Sequence, residues 1–164
     1  MRALYSYGSE DVDDTDWGCV YRSFQNAQVH TAGAPPTPIW ALVEYVGRGW
    51  AAWAEPADFA NCGFTITLLA GVSDTWLQHT SADQYQFYLP SVRALETYIR
   101  RAGKTCAFVV DDGVSGYAIV PWRGQAHWVD PHTTTPRRVP FASQLQRSPG
   151  WMVLQVIPNV PLCV

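Results

Sequence analysis

The sequence predicts an α+β domain, with helices first and a mainly antiparallel sheet after them. Three observations predict it. Apolar residues recur at helical spacing in two segments before residue 50, and again over 91–101. Four β-rich runs follow at 105–110, 117–122, 126–130 and 152–157. Gly113 and Arg123-Gly124 separate neighbouring runs with turn chemistry and leave no room for crossover helices, which parallel strands require. Helices gathered ahead of such strands pack on one antiparallel sheet.

Each element has its own signal. In Cys19 to His30, Val20, Phe24 and Ala27 recur at helical spacing and Gly33 follows as a stop; Thr15 or Asp16 is placed to cap the front. Thr37-Pro38 then offers a cap and a first-turn proline to a helix carrying Ile39, Leu42, Val43 and Val46, with Gly47 as its stop. The Trp-rich stretch 49–53 reads as a loop. A third helix is expected around 58–69, against the opposition of Gly63, Thr65 and Thr67. Residues 75–80 read as a strand. Ser91 to Arg101 reads as a helix through Val92, Leu95 and Ile99, stopped by Gly103.

At 164 residues the chain has the length of one ordinary domain, and residues 1–164 are read as one. It is 48% hydrophobic and 15% charged, which suits a packed core and not disorder. Net charge is -3, and the densest basic spots are the pairs Arg100-Arg101 and Arg137-Arg138, so a nucleic-acid footprint is missing. No apolar run approaches the ~20 residues of a membrane span. The four cysteines, Cys19, Cys62, Cys106 and Cys163, include no C-x-x-C pair, which argues against a structural zinc, and no metal or cofactor is expected. The polar, increasingly acidic opening does not read as a signal peptide. The expectation is a reduced, cytoplasmic monomer.

Cys19 stands where a loop enters a helix. Unpaired N–H groups there favour thiolate over thiol, and the thiolate is the nucleophile. Gly18 before it would let a substrate backbone approach. Asp11, Asp13, Asp14 and Asp16 crowd the same entrance and would oppose ionisation unless they point away, so a cationic partner is needed. Of the four histidines, His30 is about three helical turns from Cys19, His79 has no orienting group, and His127 points to the other face of its strand. His132 follows Asp130-Pro131, and residues two apart on a strand share a face. A carboxylate beside an imidazole fixes its tautomer and orients it, the third-group role in triad chemistry. A cysteine early and a histidine late is the order of papain-like hydrolases. For the oxyanion, the N–H of Cys19 and the phenol of Tyr5 or Tyr7 are candidates.

The stretch Asp13-Asp14-Thr15-Asp16-Trp17-Gly18-Cys19-Val20-Tyr21-Arg22-Ser23-Phe24-Gln25 resembles the active-site signature of the cysteine proteases specific for the ubiquitin-fold modifier. Val129-Asp130-Pro131-His132 resembles that family's second signature, and the autophagin cysteine proteases share both in looser form. The chain length favours the first family. The resemblance implies a papain-like fold, Cys19 as nucleophile, His132 as general base, Asp130 orienting it, and Tyr7 as oxyanion donor. It implies a thiol protease that cleaves after the C-terminal glycine of a ubiquitin-like modifier, maturing a precursor or freeing lysine side chains. The alternatives are an autophagin-like protease and a catalytically weak module that binds a ubiquitin-like protein. The sequence departs from the family at Asp16, where a glycine is usual. It departs again at Asp111 to Tyr117, which lacks a histidine, and in the middle region, where a Trp-Ile-Gly stretch has no match.

Overall fold

The computed structural model describes residues 4–32, 35–72, 92–111, 115–133, 137–138 and 151–158. In order these form a 3-10 turn Ser9–Asp11, α1 (Cys19–Ala32), α2 (Ile39–Val46), a 3-10 helix Pro56–Asn61, β1 (Phe64–Val72) and α3 (Val92–Ala102). Then come β2 (Ala107–Asp111), β3 (Gly116–Trp122), β4 (Gln125–Val129), β5 (Arg137–Arg138) and β6 (Trp151–Pro158). The six strands make one sheet in the order β1-β6-β2-β3-β4-β5, with every neighbouring pair antiparallel. The architecture is α+β, as the pattern predicts.

The central strands are apolar throughout because both faces of the sheet are covered. Ala107 and Val109 of β2 join Ala118 and Val120 of β3 on the face that receives α1 and α2. Phe108, Val110 and Ile119 turn to the other face, with Ile99 of α3 and Trp128 of β4. Residues that alternate along a strand thus feed two cores. Each buried aliphatic or aromatic side chain contributes about 1.5–3 kcal/mol by leaving water.

Helix α1 is buried on more than its apolar stripe. Val20, Phe24 and Ala27 face the core as the spacing predicts, but Arg22, Ser23, Gln25, Asn26 and Gln28 are buried too. Their polar atoms are satisfied by lacing other segments onto the helix. Asn26 brackets the backbone of Tyr5, accepting its N–H at 2.8 Å and donating to its carbonyl at 2.9 Å. Gln28 does the same for Thr37, through its N–H at 2.8 Å and its hydroxyl at 3.0 Å. Thr37 is therefore not the side-chain cap of α2; Pro38 occupies the cap position. The expected stop holds, with Gly47 in the left-handed region at φ 79° donating to the Val43 carbonyl.

Residues 58–69 do not form the expected third helix. The 3-10 helix ends at Asn61, Gly63 takes φ 85°, and β1 begins at Phe64. Its partner β6 decides the matter, because Phe64 to Val72 pair with Pro158 to Trp151 and the threonines fit a pleated strand. The expected strand at 75–80 lies outside the described residues, as do Gly33, His79 and Cys163. Helix α3 and strands β2, β3, β4 and β6 fall within two residues of their predicted positions; β5, read only as a basic pair, was missed.

Candidate active site

Cys19 opens α1 and is fully buried. Its sulfur accepts the Gly116 backbone N–H at 3.2 Å, and the Tyr7 phenol lies close enough to favour its ionised form. Tyr7 in turn sets its ring edge-on to His132, with centroids 4.7 Å apart. Its backbone N–H donates to the Pro131 carbonyl at 3.0 Å. Asp130 Oδ1 lies 2.6 Å from His132 Nδ1 and accepts the His132 backbone N–H at 2.8 Å. Tyr7 is therefore the side chain that joins the cysteine to the Asp-Pro-His box.

The Asp130–His132 pairing has a different origin from the one the spacing suggests. Strand β4 ends at Val129, and Asp130 to His132 form a turn closed by the Asp130 carboxylate. This is the Asx geometry that aspartate favours. The same oxygen reaches the ring. A carboxylate only accepts, so Nδ1 carries a proton, and in the neutral imidazole the lone pair is then on Nε2. Asp130 side-chain exposure is 25% and that of His132 is 40%, so the imidazole is open to an incoming group.

Other expectations separate cleanly. Tyr7, not Tyr5, meets the cysteine; Tyr5 is held by Asn26. His30 lies in the last turn of α1 against Trp122, and His127 bonds the Gln125 carbonyl at the edge of β4. Thr15 turns its hydroxyl onto Asp13 at 2.7 Å. Asp14 does not face the sulfur: its carboxylate takes Arg22 Nε at 2.9 Å, Arg22 Nη2 at 3.0 Å and the Gly8 N–H at 2.9 Å. Gly18 answers to Asp14 as well. A Cβ on it would lie 1.8 Å from Asp14 Oδ2, so its smallness is demanded by packing.

The electrostatics of Cys19 correct the expectation of a ready thiolate. Burial pushes its thiol above the ordinary value, and this outweighs the opposing donors, Gly116 N–H, Tyr7 and the helix-start N–H of Val20. Asp111, at the end of β2, also opposes its ionisation. Burial, with Cys19 next to it, holds the Tyr7 phenol protonated far beyond its usual range, as an O–H donor must be.

Gly116 is the site residue the sequence reading missed. A Cβ there would sit 2.9 Å from Val20 Cγ2 and 3.2 Å from Val20 Cα, so only glycine lets β3 approach α1. The signal was a glycine at the start of an apolar strand, which marks close backbone approach. Of the tryptophans, Trp17 and Trp128 are buried in the core, whereas Trp40 and Trp50 are exposed. Trp50 packs edge-on to Trp17 at 5.1 Å, two residues before the cysteine. Among the described residues no three His, Cys, Asp or Glu side chains group to hold a metal, and no helix is long and apolar enough to cross a membrane.

This architecture occurs in a solved protein. The crystal structure of UfSP from C. elegans superposes with a TM-score of 0.55 at 16% identity, over 98% of this chain. The fold is UfSP-like. This chain corresponds to 33% of the length of that one, about a third, and at such identity the likeness is one of fold. No protein-family model matches the chain, and no curated protein sequence does.

Proposed function

We propose that the protein is a papain-like thiol protease that cleaves after the C-terminal glycine of a ubiquitin-fold modifier, in precursors or in conjugates to lysine. The observation that carries this reading is the place of Tyr7, which packs on His132 and against the core cluster that holds Cys19, while Asp130 holds the imidazole. The UfSP-like fold and the two sequence boxes support the choice of modifier.

In this reading His132 Nε2 takes the proton from the Cys19 thiol as the sulfur attacks the glycine carbonyl carbon. Tyr7 O–H and the Cys19 N–H stabilise the oxyanion. The tetrahedral intermediate collapses to a thioester, and His132 returns the proton to the leaving amine. Water, deprotonated by the same nitrogen, then hydrolyses the thioester and frees the thiol. A thiol that is buried and protonated at rest suits an enzyme that ionises its nucleophile once the modifier's tail is in place. Trp50, exposed and packed edge-on to the buried Trp17, would flank that tail. The reading places the protein as a monomer in a reducing, cytoplasmic setting, where Cys19, Cys62 and Cys106 persist as free thiols.

The test is a panel of ubiquitin-like modifiers carrying a C-terminal propargylamide. Covalent capture at Cys19 by the ubiquitin-fold modifier is expected. Capture by an autophagy modifier alone would move the assignment to the autophagins, and capture by none would overturn catalysis. Full burial of Cys19 favours one second reading, a domain that binds such a modifier without cutting it. Modifier binding without capture would select it.

A further inference from the structure

Arg22 belongs to the first sequence box but touches none of the reacting groups. It is completely buried, and every arm of its guanidinium is engaged. Nε and Nη2 fork onto Asp14, Nη1 meets Glu10 Oε1 at 2.8 Å and Gln25 Oε1 at 3.0 Å, and Nη2 also donates to the Ser9 carbonyl at 2.8 Å. Apart from Gln25, its partners lie on the segment from Ser9 to Asp14. That segment is wound in conformations its residues seldom adopt: Glu10 has φ 62° and Asp11 55°, after Gly8 at 84°, where glycine is at ease. Non-glycine residues in this region cost free energy and persist only where surroundings impose them. The turn begins immediately after Tyr7, and Asp14 closes it by accepting the Gly8 N–H. Glu10 extends the network to α2, its second oxygen accepting the Ile39 N–H at 3.2 Å.

We propose that Arg22 is a positioning residue: with Asp14 and Glu10 it imposes the strained turn 8–14 and so holds the Tyr7 hydroxyl on Cys19. The inference rests on the assignment of Tyr7 and Cys19 to one reactive site, yet it concerns an arrangement of side chains that stands without substrate. A planar fork fixed at both ends is what this task needs, and a lysine would supply the charge without the fork.

The test reads the Cys19 thiol directly. Iodoacetamide labelling of the full chain is followed across pH 7 to 10.5, and the peptide containing Cys19 is quantified by mass spectrometry. Tyr7→Phe removes the donor and is expected to move the labelling midpoint upward by about one pH unit, a tenfold loss of thiolate at a given lower pH. Arg22→Lys and the half-exposed-side variant Glu10→Ala are expected to move it the same way. Combining either with Tyr7→Phe adds nothing further, because both act through one bond. Glu10→Ala keeps the test alive if Arg22→Lys does not fold, as judged by its melting transition. Folded variants with a wild-type midpoint overturn the proposal, as do shifts that add to that of Tyr7→Phe, or a Tyr7→Phe midpoint equal to wild type. Failure of the protease reading is separate: modifier probes would then miss Cys19 in the unmodified protein whatever the midpoints show.

Discussion

Replacing Gly18 by alanine separates two reasons for a glycine beside the cysteine. If it serves substrate approach, alanine slows turnover and leaves the fold alone. The structure assigns it to packing: the new Cβ would meet Asp14 Oδ2 at 1.8 Å, Cγ at 2.5 Å and Cβ at 2.6 Å. Asp14 cannot swing aside without leaving Arg22 Nε, 2.9 Å away, with both side chains fully buried. Breaking one side of a buried ion pair costs about 3–5 kcal/mol. For a chain of this length that corresponds to a fall in melting temperature of about 6–20 °C. Urea unfolding followed by tryptophan fluorescence, with a thermal melt beside it, gives both quantities. A loss below about 1 kcal/mol in Gly18→Ala would refute the packing argument and return the glycine to the substrate.

Four further outcomes are expected. Tyr7→Phe lowers kcat for modifier cleavage about 10²–10³-fold, as loss of an oxyanion donor does, with the melting temperature little changed; an unchanged kcat removes Tyr7 from the reaction. Asp130→Ala leaves Nδ1–H and the His132 N–H without their shared acceptor and lowers kcat/KM about 10²–10⁴-fold, while Cys19→Ala abolishes cleavage. Phe24→Ala removes the ring stacked on Phe59 at 3.9 Å, with Phe64 edge-on at 4.9 Å, and destabilises by about 3–5 kcal/mol in urea titration. Finally, stability falls as pH rises above about 9. Burial raises the Cys19 and Cys62 thiols and pushes the Tyr21 phenol from 10.0 up to about 12. Between the unfolded and folded values the unfolded chain has released protons the folded chain still binds, so unfolding gains with pH. A denaturation midpoint that is flat from pH 8 to 11 would contradict this.

The elements that could be read from sequence are those whose pattern is local. Helix α2 carries its stripe and its Gly47 stop within ten residues, and α1 and the late strands are similarly self-contained. The failures come from long-range partners. Phe64 to Val72 has no decisive period of its own and becomes a strand because β6 pairs with it. The burial of the polar residues of α1 was not legible, because nothing local shows that Tyr5, Glu10 and Thr37 will be tied to them. In the site, Cys19, Asp130 and His132 are legible as residue types in two boxes. Two electrostatic facts were not legible: the Gly116 donor comes from 97 residues away, and Asp14 is turned aside by Arg22.

The order β1-β6-β2 has a consequence for how this protein is made. Among the described residues, strand β1 joins the rest of the sheet through β6, the last of the described strands. On the ribosome, β1 must wait with an open edge until Trp151–Pro158 emerges, and such non-local pairing slows folding. The reactive centre has the same timetable, since the Tyr7 backbone is anchored on Pro131 and the Cys19 sulfur on Gly116. A half-synthesised chain therefore displays the thiol stripped of its neighbours. Those neighbours arrive only when Gly116 and Pro131 have followed the cysteine out and folded back onto α1.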